Sequence, residues 1–153
     1  MGVFSSHRCV NVMRPGFSRL SALVCGLLLP ALLGVNQPLR AQPTTIDQSA
    51  NLELSGTGGG PEASDCGFLP SRPSQVLRVT EGFVERSGFL RLAVSGGGQA
   101  TLLIEGPTGR LCAMASGDCP AQHAGVWLAG TYRIYIGDRQ GGSFPYRLSI
   151  SGR

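Results

Sequence analysis

From Gln75 onward, short runs with an apolar residue at every second position alternate with glycine-rich breaks. A period of two is typical of a β-strand with one buried face and one exposed face. The pattern occurs at residues 76–80, 89–95, 101–105, 110–115, 131–136 and 146–151. Beyond residue 41, no window of eleven or more residues carries a helical stripe of apolar positions. The sequence therefore predicts an all-β protein.

The breaks between the runs contain the residues that tight turns require. Glycine adopts the positive φ values of hairpin turns at little steric cost, and glycines fall at residues 96–98, 106–109 and 137–142. Short strands at such regular spacing are typical of antiparallel sandwiches and barrels. Because the candidate core positions are mostly aliphatic, we expect residues 74–153 to form an antiparallel β-sandwich of about seven to eight strands.

Residues 20–34, LSALVCGLLLPALLG, form an apolar run that follows a basic, acid-free stretch and precedes a polar segment. This order is that of the three regions of a secretory signal peptide. The run is shorter than the roughly 20 residues that span a bilayer, which argues against the alternative of a permanent membrane anchor. We expect residues 1–41 to be a signal peptide cleaved after Ala41. The protein would then be exported, periplasmic or extracellular, with no permanent membrane span after cleavage.

Residues 42–73 are rich in glycine, proline, serine and threonine and contain few apolar residues. Ordering such a segment is entropically costly, and little apolar burial is available to offset the cost. We expect it to be mostly irregular, with one short strand at residues 51–54. The chain after the predicted cleavage site is long enough for one hydrophobic core, so it should form one domain.

The net charge of +4 lies in the predicted signal peptide, because four arginines precede the first acidic residue, Asp47. From Gln42 onward, nine arginines balance nine acidic residues, and the arginines are scattered singly. A nucleic-acid-binding protein needs a basic stripe that neutralises phosphates. No nucleic acid is therefore expected among the partners.

Export would place Cys66, Cys112 and Cys119 in a compartment that permits disulfides. We predict the pair Cys66–Cys112, because it would tie the 42–73 segment to a strand of the domain. Closing a loop of that length stabilises a protein by about 4 kcal/mol in the chain-entropy model. The alternative pair, Cys112–Cys119, would span only a short hairpin. The sequence leaves the state of Cys119 open.

His123 is the only histidine after the predicted signal peptide, and it is the obvious candidate for catalysis. No Gly-x-Ser-x-Gly elbow or other nucleophile motif accompanies it, so we interpret it as a surface-loop residue and predict no catalytic residue. A zinc site built on Asp118, Cys119 and His123 would still need a cysteine from the predicted disulfide. We predict no cofactor-binding or metal-binding residues. A calcium site is the lesser alternative, and the spacing of the carboxylates gives no support for it.

The aromatic residues divide between core and surface. Alternation places Tyr132 with Ile134 and Ile136, so Tyr132 and Trp127 are expected in the core. Tyr135 shares the opposite face with Arg133. Tyr135 and Arg133 are therefore the candidate surface contact residues.

Four segments follow one another in a distinctive order: FLRLAVSGGG, ATLLIEGPTGRL, AGVWLAGTYRIYIG and, finally, FPYRLSIS. In this order, residues 75–150 resemble the bacterial pre-peptidase C-terminal domain family. The resemblance implies a jelly-roll-like β-sandwich without catalytic activity, and some relatives in that family bind calcium or extracellular polymers. Here the turn after the Pro-Gly hairpin, often acid-rich in the family, keeps only Asp118, which weakens the case for calcium. With no peptidase ahead of the domain, a stand-alone exported member is expected.

These observations predict a non-catalytic, exported binding or interaction module. Its expected partner is an extracellular or envelope protein, a polysaccharide or another envelope component. Two alternatives stay open: a small secreted hydrolase that uses His123, and a structural protein of the envelope.

Overall fold

The computed structural model describes residues 43–48, 50–97 and 99–152, so the predicted signal peptide lies outside the described residues. The described chain forms two packed β-sheets, and the predicted all-β sandwich is confirmed. It contains eleven strands rather than seven to eight. The strands are β1 Thr44–Ile46, β2 Asn51–Gly58, β3 Glu62–Ser64, β4 Gly67–Leu69, β5 Gln75–Val79, β6 Phe89–Gly96, β7 Ala100–Gly106, β8 Gly109–Met114, β9 Ala121–Val126, β10 Gly130–Asp138 and β11 Phe144–Gly152.

The first sheet, sheet A, is built around β10. One side of β10 pairs with β5 and, further along, with β4, while its other side pairs with β7. Beyond these neighbours, β1 pairs with β5 in parallel, β3 pairs with β4, and β8 pairs with β7. Sheet A therefore contains one parallel pair among its described strands, where the sequence predicted antiparallel pairing throughout.

The second sheet, sheet B, is fully antiparallel and has the order β2-β11-β6-β9. Its central strands alternate as the sequence predicts: Leu90, Leu92 and Val94 of β6 face the core, and the residues between them face outward. Ile134 and Ile136 of β10 meet them from sheet A within the same hydrophobic core. The order leaves β9 at one edge of sheet B and β8 at one edge of sheet A.

A single short helix, α1 (Glu81–Arg86), connects β5 to β6 in the described chain. The Thr80 side chain caps it by accepting a hydrogen bond from the Phe83 backbone N–H at 3.3 Å. The Phe83 side chain is buried in the core between the sheets. With six residues, the helix is too short to produce an apolar stripe in the sequence.

The segment at residues 42–73 is more ordered than the sequence predicted, because β1, β2, β3 and β4 all lie in it. The prediction of a mostly irregular segment is therefore wrong. β2 runs along β11 as the edge of sheet B, in register from Asn51 opposite Ser151 to Gly58 opposite Phe144. Backbone pairing with β11, together with the packing of Leu52 and Leu54 against the core, orders this strand.

The β3–β4 hairpin packs on the outer face of sheet A. The predicted disulfide, Cys66–Cys112, joins the hairpin to β8 with a Cα–Cα distance of 5.8 Å. Cys66, Leu69 and Leu103 form a small buried cluster with Tyr135 packed against it. Leu103 stands opposite both Cys112 and Tyr135 in the strand register, so the hairpin covers the middle of this outer face.

Candidate functional site

A cleft of about 160 Å³ opens between the edge strands β8 and β9, where the two sheets diverge. The turn between β7 and β8 lies against the start of β10, since a Cβ on Gly130 would be 2.5 Å from Pro107 Cγ. The cleft is lined by apolar, aromatic and polar side chains together: Ile104, Thr108, Gly109, Arg110, Leu111, His123, Val126, Trp127 and Tyr132. We call this site the aromatic cleft.

Tyr132 fixes the wall of the cleft that β10 provides. Its hydroxyl donates to the Leu128 carbonyl at 2.9 Å and accepts from the Leu128 backbone N–H at 3.1 Å. These two bonds hold the β9–β10 connection against the core. On the neighbouring strand β7 of the same sheet, the backbone approaches so closely that a Cβ on Gly106 would lie 2.1 Å from Tyr132 Cδ1. Only glycine fits at Gly106 without displacing the tyrosine ring.

Trp127 lies beside Tyr132, with ring centroids 4.5 Å apart and a tilted arrangement. Its side chain is 3% exposed, and its Nε1 has no hydrogen-bond partner among the described residues. A buried N–H without an acceptor costs about 1–3 kcal/mol, because folding removes the water that would have bonded it. Because Nε1 itself has no exposed surface, this cost falls on the fold, and a ligand in the cleft would meet other atoms of the lining.

His123 lies on β9, opposite Leu92 of β6, and its ring is 6.1 Å from that of Trp127. It shares a face with the buried Ala121 and therefore points between the sheets. Its interpretation as a surface-loop residue is wrong, since it is a half-buried strand residue of the cleft. Partial burial lowers the pKa of His123 below 6.5 by penalising the charged ring. The ring is consequently neutral at pH 7.

Arg110 stands at the rim of the cleft, but its charge is already engaged. Its Nη1 donates to both Asp65 oxygens, at 2.6 and 2.7 Å, and its Nε lies 3.7 Å from Glu105 Oε1. The hydrogen bond from Arg110 is the main reason that the pKa of Asp65 is held below its usual value. The rim therefore presents a compensated charge to a ligand.

Exposed apolar side chains lie on the β9 side of the cleft. Val126 is 72% exposed, Leu128 is 51% exposed, and Phe89, which faces Val126 across the β6–β9 pair, is 41% exposed. Clusters of exposed apolar residues beside a pocket are typical of contact surfaces. The cleft is thus bordered by apolar surface on the β9 side and by the Arg110 ion pair on the β8 side.

The predicted surface contact residues lie elsewhere. Tyr135 is half-buried against the cluster under the β3–β4 hairpin, where burial raises the pKa of its hydroxyl. Arg133 is exposed on the same outer face of sheet A. The structure therefore does not bring Tyr135 and Arg133 to the aromatic cleft. Trp127 and Tyr132 are core residues, as the sequence predicted.

The described ranges 43–48, 50–97 and 99–152 contain neither a metal-ligand cluster nor a helix that could span a membrane. Within them, no three His, Cys, Asp or Glu side chains lie close enough together to hold a metal ion. In the same residues, no helix combines the length and apolarity that crossing a bilayer requires.

The fold and the cleft together define a disulfide-linked β-sandwich with an aromatic pocket between two edge strands. No family model matches the chain. The chain is 51% identical over 114 residues to an uncharacterized protein of Synechococcus elongatus, and the match covers 74% of this chain and 85% of the relative. At that identity and coverage, the chain belongs to the same family as the Synechococcus protein.

Proposed function

We propose that the protein is an exported, non-catalytic binding module, similar to bacterial pre-peptidase C-terminal domains, and that it binds its ligand in the aromatic cleft. The observation that carries this proposal is the cleft itself, a space of about 160 Å³ whose lining combines apolar and aromatic side chains with a few polar ones. Pockets that bind ligands typically combine apolar walls with a few convergent polar groups. Thr108, Arg110 and His123 are polar residues of this lining.

The composition of the cleft favours binding over the alternative of a hydrolase that uses His123. A hydrolytic triad needs a nucleophile beside the histidine and a carboxylate that orients it. In the described lining the residues around His123 include no serine, cysteine or carboxylate. Asp65 and Glu105 are nearby but are engaged with Arg110. No observation on the molecule favours the second alternative, a structural envelope protein.

Export is supported by the order of basic, apolar and polar segments in residues 1–41 and is compatible with the Cys66–Cys112 disulfide. The test is the intact mass of the protein recovered from cells that make it, together with its distribution between cell fractions. A periplasmic or secreted chain beginning at Gln42 is the expected result. A full-length chain that stays in the cytoplasm would contradict export.

Binding can be tested directly, because Trp127 is the only tryptophan in the chain and reports on the cleft. The protein is titrated with neutral oligosaccharides, blocked amino-acid amides and calcium chloride, while tryptophan emission and the indole N–H resonance are followed. At least one class should give saturable changes at Trp127. Gln122→Ala, an exposed position on the outward face of the same strand as His123, is the matched control and should leave binding unchanged.

Two results would contradict the proposal. Saturable binding that shifts residues of another surface but not Trp127 would place the binding site elsewhere. Turnover of a substrate that is lost in His123→Ala but kept in Gln122→Ala would instead establish the hydrolase alternative.

A further inference from the structure

We propose that β9, the edge strand of sheet B, pairs with β9 of a second copy of this chain in an antiparallel, two-fold symmetric dimer. The pairing joins the two copies of sheet B into one continuous sheet. This inference concerns an interaction surface, so it does not rest on the ligand of the aromatic cleft.

The backbone of β9 carries unpaired hydrogen-bonding groups along one side. The Trp127 N–H donates to the Gly88 carbonyl at 2.8 Å, so it points toward β6. Because backbone groups alternate in direction along an antiparallel strand, those of Gln122, Ala124 and Val126 point the other way. Within the described chain β9 pairs with β6 alone, and these three residues are exposed. The edge therefore presents a row of donors and acceptors to solvent.

The other edge strands of the described sheets carry features that discourage pairing, whereas β9 does not. β1 and β3 are only 3 residues long. β2 carries the charged Glu53, and β8 carries Arg110 in its ion pair with Asp65. The sequence of β9, AQHAGV, contains no acidic residue, lysine, arginine or proline, and its register with β6 runs from Ala121 to Val126 without a bulge. An edge without these protective features is suited to pairing with another strand.

The sequence of β9 favours a second copy as the occupant of this edge. A two-fold axis places the strand opposite its own reversed sequence. The register that pairs the most outward groups sets Ala124 opposite Ala124 of the second copy and Gln122 opposite its Val126, with about six backbone hydrogen bonds. A charged residue in the strand would bring like charges together across the axis, and β9 has no lysine, arginine or acidic residue.

The same register covers exposed apolar surface and ends where the backbone groups end. Val126 and Leu128 are exposed beside the edge. With Ala124 on the axis, Leu128 stands near Pro120 of the second copy. The ladder stops there, because Pro120 has no N–H and the backbone groups of Leu128 are bonded to the Tyr132 hydroxyl. Each copy uses its whole free edge on one partner, so the assembly closes as a dimer and does not extend into a fibre.

Sedimentation of the protein recovered from cells that make it, over a concentration series from micromolar to millimolar, tests the dimer. The paired strands are short, so we expect a concentration-dependent equilibrium that approaches twice the monomer mass. Ala124→Lys should weaken dimerisation by at least about tenfold, because two lysines meet at the axis. Ser149→Lys adds the same charge on the outward face of the central strand β11 and is the matched control, which should still dimerise.

Charge reversal tests the register. Ala124→Glu alone should also weaken dimerisation, because two carboxylates meet at the axis. An equimolar mixture of Ala124→Lys and Ala124→Glu should form a mixed dimer, because the opposite charges then face each other. A mixture that stays monomeric, although each variant keeps its fold, would overturn the pairing of Ala124 with itself.

Hydrogen exchange of the unmodified protein gives a test that needs no variant. As the concentration rises, exchange of the Ala124 amide should slow, whereas that of the Gly125 amide, which already points toward β6, should not change. A monomer at every concentration would overturn the inference. So would a dimer that Ala124→Lys does not weaken, since its contact would lie on another surface. Protection of the Ala124 amide by an added extended peptide, without any self-association, would overturn the second copy as the occupant in favour of a foreign strand.

Discussion

Removing the Cys66–Cys112 disulfide should destabilise the protein by about 4 kcal/mol. The bond joins residues separated by 46 positions, and the chain-entropy model assigns a loop of that length about 4 kcal/mol. The bond also holds the β3–β4 hairpin over Leu103, so its loss should expose part of the outer face of sheet A. The experiment uses Cys66→Ala, Cys112→Ala and the double variant, with urea denaturation as the assay.

The pattern among the three variants tests the mechanism. Each single substitution breaks the same bond, so each should cost nearly as much as the double variant, apart from the small cavity that replaces the buried Cys66 sulfur. The dependence of the free energy of unfolding on urea should also steepen, because the unfolded chain without the crosslink exposes more surface. Hydrogen exchange of the β4 amides should rise before that of β10, since the hairpin loses its covalent anchor.

Two results would refute this reasoning. A loss below about 1 kcal/mol would mean that the disulfide does not restrict the unfolded chain as the model assumes. Additive effects of the two single substitutions would mean that packing of the individual side chains, rather than the bond between them, supplies the stability.

Three further predictions concern the cleft and the glycines. Tyr132→Phe should cost about 1–2 kcal/mol in denaturation, because both hydrogen bonds to Leu128 are lost. Gly106→Ala should destabilise the protein by about 1–3 kcal/mol, because the added methyl group clashes with the Tyr132 ring. Gly82→Ala in α1 should instead stabilise it by roughly 0.5 kcal/mol, because an added Cβ there meets only the end of the Arg86 side chain, at 4.0 Å. Folding lowers the pKa of His123, so below pH 6.5 the unfolded chain binds more protons than the folded chain. The contribution of His123 to the free energy of unfolding should therefore be complete above pH 6.5 and be lost as the pH falls through the folded pKa. His123→Asn should remove that decline, and a decline of equal size in the variant would count against the assignment.

The strands with strong apolar alternation were predictable from sequence. β6, β10 and β11 follow the predicted runs within two residues at each end, because large apolar residues at every second position form their core faces. β9 was missed, since its sequence AQHAGV contains one fully buried residue, Ala121. An edge strand of small residues depends on its partner β6 for order, and no local signal records that pairing.

The site was predictable only in part. Alternation identified Tyr132 as a core residue, and the disulfide partners followed from what each pairing would organise. The cleft itself depends on three placements that are distant in sequence: the β7–β8 turn, the end of β9 and the start of β10. His123 appeared to be a loop residue because β9 was not recognised as a strand. Without β9, its side chain could not be assigned to the face between the sheets.

The position of β11 constrains the order in which the molecule assembles. β11 lies between β2 and β6 in sheet B, although both of those strands precede it in the chain. Until residues 144–152 are available, β2 and β6 have no common neighbour, and the core face of sheet B lacks Leu148 and Ile150. Nucleation through such distant pairing is slow, because the chain must close a long loop before any contact offsets the entropy lost in closing it. The β6–β9 pair can form without β11. We therefore expect β2 to join sheet B only in a late step, together with β11.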